Sequence, residues 1–111
     1  MKKRGFKEAQ RDALTAIKDG RIQHEPRATL GEKNLLAIGD VDSTFTSQLI
    51  QSTASRNASS NAHHFMDVEV WTFKPSFQGV QWYVKFYFID DIWFISVHKS
   101  CLLYTSPSPR D

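Results

Sequence analysis

The feature that most constrains the fold of this 111-residue chain is a change in the spacing of its apolar residues near Asp67. Before this point, apolar residues recur every three or four positions, as they do along one face of an α-helix. After it, they tend to alternate with polar residues, as they do along a β-strand. Helices followed by strands are typical of an α+β domain. We therefore expect N-terminal helices packed on a C-terminal antiparallel sheet.

Three helices are predicted from this spacing, over 6–19, 31–38 and Ser43–Gln51. Gly20 and Gly39 follow the first two helices, where a left-handed residue often ends a helix. Asp42 precedes the third helix, and its carboxylate can accept hydrogen bonds from the first backbone amides. The small polar residues of 52–61 predict a loop.

Three strands are predicted in the second half, over 68–74, Val80–Ile89 and 92–98. Their many aromatic and β-branched side chains favour strands. Asp90 and Asp91 separate the last two strands, which predicts a hairpin with a two-residue turn. Such a turn fixes the register of the two strands, and it places Tyr83 opposite His98.

This register divides the hairpin into two faces, and it also places Phe86 opposite Ile95. One face carries no polar side chain and is expected to form the core under the helices: Val80, Trp82, Val84, Phe86, Phe88, Trp93, Ile95 and Val97. The opposite face is expected to be open to solvent: Gln81, Tyr83, Lys85, Tyr87, Phe94, Ser96 and His98.

The last eleven residues, 101–111, read CLLYTSPSPRD, which is what a transposase sequencing adapter encodes in one reading frame. We therefore expect one native domain over 1–100 and a non-native tail over 101–111, as in a fragment translated from a metagenomic read. Cys101 is the only cysteine. The expected domain thus contains none, which excludes a disulfide framework, cysteine-bound zinc and a thiol nucleophile within it. No segment is apolar enough to span a membrane or to act as a signal peptide, so we expect a cytoplasmic protein.

The predicted open face carries one group of residues with useful chemistry: Tyr83, Lys85 and His98. An imidazole can exchange a proton near neutral pH, a phenol can hydrogen-bond, and an ammonium can stabilise charge on phosphate oxygens. These residue types are also common on the wet face of a half-exposed sheet, so the pattern alone leaves both interpretations open. The adjacent pair His63-His64 would point to opposite faces of a strand, and no metal site is predicted.

Several short motifs give the chain a resemblance to a known family. The run Tyr83-Val84-Lys85, the acidic turn Asp90-Asp91 and the run Ile95-Ser96-Val97-His98 resemble the motility quorum-sensing regulator (MqsR) toxins. Asp19-Gly20-Arg21-Ile22 and Asp42-Ser43-Thr44-Phe45 extend the similarity, which covers most of residues 10–100. These toxins are mRNA-cleaving members of type II toxin-antitoxin systems, and the resemblance implies a RelE-like α+β fold.

The resemblance also implies roles for individual residues. Tyr83 matches the active-site tyrosine of the family, and His98 stands at its C-terminal catalytic lysine, where some other RelE-like nucleases have histidine. Ser47 and Met66 stand where the family has a lysine and a glutamine.

The expected function is that of an RNA-binding endoribonuclease toxin that cleaves single-stranded mRNA without a metal or a small-molecule cofactor. The 2′-hydroxyl would attack the adjacent 3′-phosphate, with His98 as general acid or base and Tyr83 orienting the phosphate. The cations expected to neutralise the phosphate are Lys85, Arg56 and Lys74. The implied partners are mRNA and a cognate antitoxin protein, with no membrane.

The alternative is a non-catalytic protein-interaction module, such as an antitoxin-like, immunity or phage accessory protein. It depends on an aromatic patch on exposed sheet surface, because such patches mark protein interfaces. The residues proposed for that patch are Tyr87, Phe94, Trp71 and Phe73.

Overall fold

A computed structural model, which describes residues 5–25, 34–63 and 67–99, is an α+β fold with helices on a mixed sheet. The helices are α1 (Phe6–Lys18), α2 (Leu35–Ile38) and α3 (Ser43–Gln51), and Ser55–Asn57 form a 3₁₀ turn. The strands are β1 (Ile22–His24), β2 (Ala58–Ala62), β3 (Glu69–Phe73), β4 (Ser76–Phe77), β5 (Val80–Ile89) and β6 (Asp91–Lys99). No helix in these ranges is long and apolar enough to cross a bilayer. The expected tail, 101–111, lies outside the described residues.

Helices are found at all three predicted positions, with differences only at their ends. Gly20 has φ +75°, a left-handed conformation that costs little without a Cβ, and it ends α1. The Asp42 carboxylate accepts a hydrogen bond of 2.7 Å from the backbone N–H of Phe45 and caps α3. α2 is shorter than predicted, although residues 31–33 of its expected range lie outside the described part. Gly39 ends it at φ +86°.

The sheet is mixed, so the expectation of a purely antiparallel sheet is wrong. The strand order is β1-β6-β5-β3-β2, and β4 pairs with β5 beside this path. β1 runs parallel to β6, with Ile22 beside Ile92 and His24 beside Phe94. Only three residues long, β1 is too short to show an alternating pattern, and its partner lies about 70 residues away in sequence.

The predicted loop over 52–61 is also partly wrong, because it contains the 3₁₀ turn and most of β2. β2 is antiparallel to β3, with Ser59 opposite Thr72 and Asn61 opposite Val70. Alanine, serine and asparagine have weak strand propensity, so the segment gives little local signal. β2 therefore forms a strand because its backbone hydrogen-bonds to β3, and not because of its own residue types.

The hairpin register is confirmed only in the half that is distant from the turn. Tyr83 pairs with His98 and Lys85 with Ser96, as predicted, but Phe86 pairs with Phe94. Ile95 is therefore an extra residue on β6, a β-bulge. Asp90 alone forms the turn, with φ +63°.

The bulge explains two errors in the predicted core. Trp93 and Ile95 lie on the face opposite the helices, whereas Ile92 and Phe94 are fully buried under them. The other predicted core residues are confirmed, either as buried (Trp82, Val84, Phe86 and Val97) or as partly buried against the core (Val80 and Phe88).

The aromatic patch required by the interaction-module interpretation is not exposed. Its four side chains are buried: Tyr87 at 2% exposed, Phe94 and Phe73 at 0%, and Trp71 at 6%. Three of them pack in the core under the helices, so that basis for a protein-binding surface is wrong.

Candidate functional site

The face of the sheet opposite the helices, here called the cleft face, contains a cleft of about 440 Å³. Its walls come from β2, β3, β5 and β6, together with Glu25 after β1 and His63 after β2. This volume lies within the range of small-molecule sites, roughly 300–1,000 Å³. Two of the predicted catalytic residues, Tyr83 and Lys85, line it.

Tyr83 and His98 form the pair that the sequence predicted. They are cross-strand partners on β5 and β6, their ring centroids lie 5.1 Å apart, and the ring planes are 25° from parallel. Paired positions on antiparallel strands hold side chains close together on one face, so the sheet itself sets this geometry. His98 stacks on Tyr83, which lines the cleft, but His98 itself does not line it.

The hydrogen bond of His98 defines which ring nitrogen can act as a base. Its Nδ1 lies 2.8 Å from the carbonyl oxygen of Lys99. A carbonyl oxygen only accepts hydrogen bonds, so Nδ1 must carry the proton and donate it. In the neutral ring, Nε2 then holds the free lone pair. The ring is therefore prepared to accept a proton at Nε2.

Two lysines, Lys85 and Lys74, supply positive charge near this pair. Lys85 is half-buried, lies two residues from Tyr83 on the same face of β5 and lines the cleft. Lys74 is exposed and directly follows Phe73, whose partner on β5 is Val84, so this register brings it beside Tyr83. Within the described residues, no ion pair engages either ammonium group.

Arg56 is less closely tied to the cleft than predicted. It is exposed in the 3₁₀ turn, and the next residue, Asn57, accepts a hydrogen bond of 2.9 Å from the backbone N–H of Lys74. In the described structure, no hydrogen bond or ion pair joins its guanidinium to a cleft residue. Its role as a phosphate ligand stays a prediction.

Glu25 and His63 form a second polar pair in the cleft, which sequence reasoning missed. Oε2 of Glu25 lies 2.9 Å from Nε2 of His63, and their side chains are 9% and 5% exposed. Because a carboxylate oxygen accepts, Nε2 of His63 is the donor when Glu25 is ionised. Glu25 reaches the cleft because its backbone N–H donates to the carbonyl of Phe94 and so extends the β1–β6 pairing. That pairing is distant in sequence and has no local signal.

Tyr87 links this second pair to the hairpin. Its ring meets His63 edge-on, with centroids 5.3 Å apart, and stacks on Trp93 across the hairpin at an interplanar angle of 4°. Tyr83, Lys85 and Tyr87 thus project from the same face of β5 in sequence order. The two tyrosines each contact a histidine ring, and the lysine lies between them.

Two further positions were singled out by the resemblance. Ser47 lies on α3, whose buried residues pack on the opposite face of the sheet, so it does not line the cleft. Met66 lies outside the described residues. Among the residues that are described, no group of three or more His, Cys, Asp or Glu could hold a metal ion. Comparison of the chain with protein-family models, curated proteins and solved structures found no match.

Proposed function

We propose that this protein is a metal-independent endoribonuclease that cleaves single-stranded mRNA, with the RelE-like architecture of MqsR-like toxins. The observation that supports it best is the stacked Tyr83–His98 pair, whose tyrosine lines the cleft together with Lys85. A proton acceptor, a phenol and a cation therefore lie on one sheet face, where a phosphodiester can approach all three. The hydrogen bond from Nδ1 of His98 to the Lys99 carbonyl leaves Nε2 as the ring nitrogen with the lone pair in the neutral form.

The proposed reaction removes a proton from the 2′-oxygen, adds one to the 5′-oxygen and exchanges one bond at phosphorus. Nε2 of His98 takes the proton of the ribose 2′-hydroxyl, and the 2′-oxygen attacks the adjacent phosphorus. The P–O2′ bond forms as the P–O5′ bond breaks, and the departing 5′-oxygen takes a proton from water. His98 then releases its own proton to the solvent, which restores the neutral ring. The products are a 2′,3′-cyclic phosphate and a 5′-hydroxyl. Lys85 and Lys74 stabilise the charge on the non-bridging oxygens, and Tyr83 donates a hydrogen bond to one of them.

The resemblance also implies a cellular setting for this activity. The substrate is mRNA in the cytoplasm, and a cognate antitoxin would hold the enzyme inactive. A protein that covers the cleft face would block Tyr83, His98 and Lys85 together, since all three project from that face.

The direct test is cleavage of a single-stranded RNA by the purified protein in the presence of EDTA. His98→Ala should lower the cleavage rate about a hundredfold or more, because a general base contributes roughly 10²–10⁴ to the rate. Tyr83→Phe should lower it less, because the ring remains. The products should carry 2′,3′-cyclic phosphate ends. His98→Ala should also relieve growth arrest in cells that express the chain without its antitoxin.

A matched pair of lysine variants separates local from general electrostatic effects. Lys85→Ala removes a charge from the cleft, whereas Lys18→Ala removes one from the exposed side of α1. Only the first should reduce cleavage strongly. Equal loss in both variants, or wild-type protein that neither arrests growth nor cuts RNA with and without ribosomes, would contradict the proposal.

A further inference from the structure

The cleft is also lined by a polar pair, Glu25 and His63, that the proposed cleavage does not use. Glu25 and His63 are both more than nine-tenths buried, yet both line the cleft. Removing such a pair from water costs more free energy than burying apolar side chains of similar volume. The pair places a carboxylate and an imidazole in the wall of the cleft, where they can meet a polar ligand.

The position of His63 argues against a second proton-transfer role at the same phosphate. His63 contacts Tyr87, and His98 contacts Tyr83. These tyrosines are four residues apart on β5, which is about 14 Å at roughly 3.4 Å per residue. An acid and a base that serve one phosphate must both reach its oxygens within hydrogen-bond distance. The pair is instead placed to meet a part of the RNA beside the reacting phosphate.

The lining between these two ends suits a nucleobase. Val70 and Ile95 contribute apolar surface, on which a planar ring can pack, and Asn61 and Thr72 contribute polar atoms. Single-stranded RNA is read in this way, by packing on the faces of an unstacked base and by hydrogen bonds to its edge. The cleft thus has room for a base and groups of both kinds that would hold one.

We propose that the Glu25–His63 end of the cleft is a nucleobase subsite that selects bases with an exocyclic amino group over uracil. The carboxylate of Glu25 only accepts hydrogen bonds, so it favours an edge that donates them. Adenine, cytosine and guanine each present amino hydrogens. Uracil presents two carbonyl oxygens around a single N–H, and these oxygens repel a carboxylate. His63 holds the carboxylate in position through its 2.9 Å hydrogen bond.

The inference rests on the proposed function for its substrate, but base binding can be measured without cleavage. The probes are the four ribonucleoside 3′-monophosphates, titrated by calorimetry into the His98→Ala variant of the full chain. AMP, CMP and GMP should each bind at least about tenfold more tightly than UMP, since about 1.4 kcal/mol corresponds to a factor of ten. This comparison leaves the Glu25–His63 pair unchanged, so it holds whether or not variants of the pair fold.

A second variant tests the carboxylate directly. Glu25→Gln replaces an acceptor by an amide that also donates, so the difference between UMP and the other nucleotides should fall to within about twofold. Asp40→Asn is the matched control, because Asp40 is exposed and does not line the cleft, and it should leave the preference unchanged.

The outcomes separate this inference from the proposed cleavage. Equal or tighter binding of UMP, no binding of any nucleotide, or a preference that survives in a folded Glu25→Gln protein overturns the subsite. If the base preference is found but wild-type protein cuts no RNA, the subsite stands and the ribonuclease proposal fails. If RNA is cut but the nucleotides show no preference, the ribonuclease proposal stands and the subsite fails.

Discussion

The two faces of the sheet bury their side chains by different means. The helix face is apolar and aromatic, and residues such as Phe73, Phe86 and Phe94 are fully buried beneath the helices. The cleft face also buries large side chains, including Tyr87 at 2% exposed, but among hydrogen-bonding and charged groups. Burial on the helix face therefore follows from hydrophobicity, whereas burial on the cleft face depends on a specific polar arrangement.

The difference shows where stability and function are concentrated. An apolar face tolerates exchange of one hydrophobic side chain for another of similar volume. A buried polar pair is less tolerant, because removing one partner leaves the other buried without the hydrogen bond that joined them. We thus expect substitutions on the helix face to change mainly the free energy of unfolding. Substitutions on the cleft face should change ligand binding as well.

The largest expected loss of stability comes from a substitution on the helix face. Phe86→Ala should lower the free energy of unfolding by roughly 3–5 kcal/mol, as aromatic truncations in cores do. The Phe86 ring is fully buried and lies 5.0 Å from that of Phe73 and 6.1 Å from that of Phe94. Urea denaturation measures the change. Ile89→Ala on the same strand is the control, and a much smaller loss is expected there because Ile89 is 40% exposed.

The next effect tests whether the cleft face is truly buried. The hairpin pattern alone predicts that Tyr87→Ala costs clearly less than Phe86→Ala, because it places Tyr87 on the solvent side. The structure instead predicts a loss of about 3 kcal/mol, since Tyr87 is buried between Trp93 and His63. The same denaturation series decides between them. A loss below about 1 kcal/mol would show that the cleft face is open around Tyr87.

The sequence predicted those parts of the molecule whose signals are local. Its periodicity and caps located α1 and α3, and the long apolar strand β5 was found with its exact ends. The Tyr83–His98 pairing was also predicted, but from a two-residue turn. The structure has Asp90 alone in the turn, and the bulge at Ile95 restores the predicted register beyond it. The sequence does not indicate the bulge at Ile95, because every residue from Ile92 to Ile95 fits a strand in either register.

The parts that were missed depend on contacts between distant segments. β1 and β2 are short or weak strands that are stabilised by β6 and β3, and they bring Glu25 and His63 to the cleft. Neither residue stands in a recognisable motif. The site residues on β5 and β6 were therefore predictable from the sequence. Glu25 and His63 could be placed in the cleft only from the tertiary structure.

A smaller change in the free energy of unfolding, of opposite sign, is expected at the hairpin turn that joins β5 and β6. Asp90 has φ +63°, a conformation that strains residues with a Cβ, and its side chain makes no hydrogen bond or ion pair within the described structure. Asp90→Gly should raise the free energy of unfolding by about 0.5 kcal/mol. Glycine removes the backbone strain of the folded state, and this gain is partly offset because glycine also gives the unfolded chain more conformational entropy. The hydrogen bond of 2.7 Å from Nη1 of Arg21 to the Asp90 carbonyl is retained.

Asp90→Asn is the control for that turn. Asparagine also tolerates the left-handed conformation, so its unfolding free energy should match that of the wild type. If Asp90→Gly instead destabilised the protein, the carboxylate of Asp90 would have a stabilising role that its surroundings do not indicate.

The smallest effect concerns a histidine on the helix face. Oδ1 of Asn34 accepts a hydrogen bond from the backbone N–H of Ala37, so its Nδ2 must donate to Nδ1 of His24, 3.1 Å away. Burial lowers the pKa of His24 below its ordinary value of 6.5. Below pH 6.5, His24 is therefore protonated to a greater extent in the unfolded chain than in the folded protein. Stability from this residue is retained above pH 6.5 and falls as the pH drops towards the lowered pKa.

His24→Gln isolates this effect from the other histidines. Glutamine offers an oxygen that can accept from Asn34 and does not titrate in this range. Between about pH 7.5 and about pH 5.5, the wild type should lose more unfolding free energy than His24→Gln, because only the wild type must keep a neutral imidazole there. Urea denaturation at the two pH values gives the difference. Equal losses would mean that His24 protonates in the folded state without disturbing Asn34, and that the helix face near β1 is more hydrated than its packing indicates.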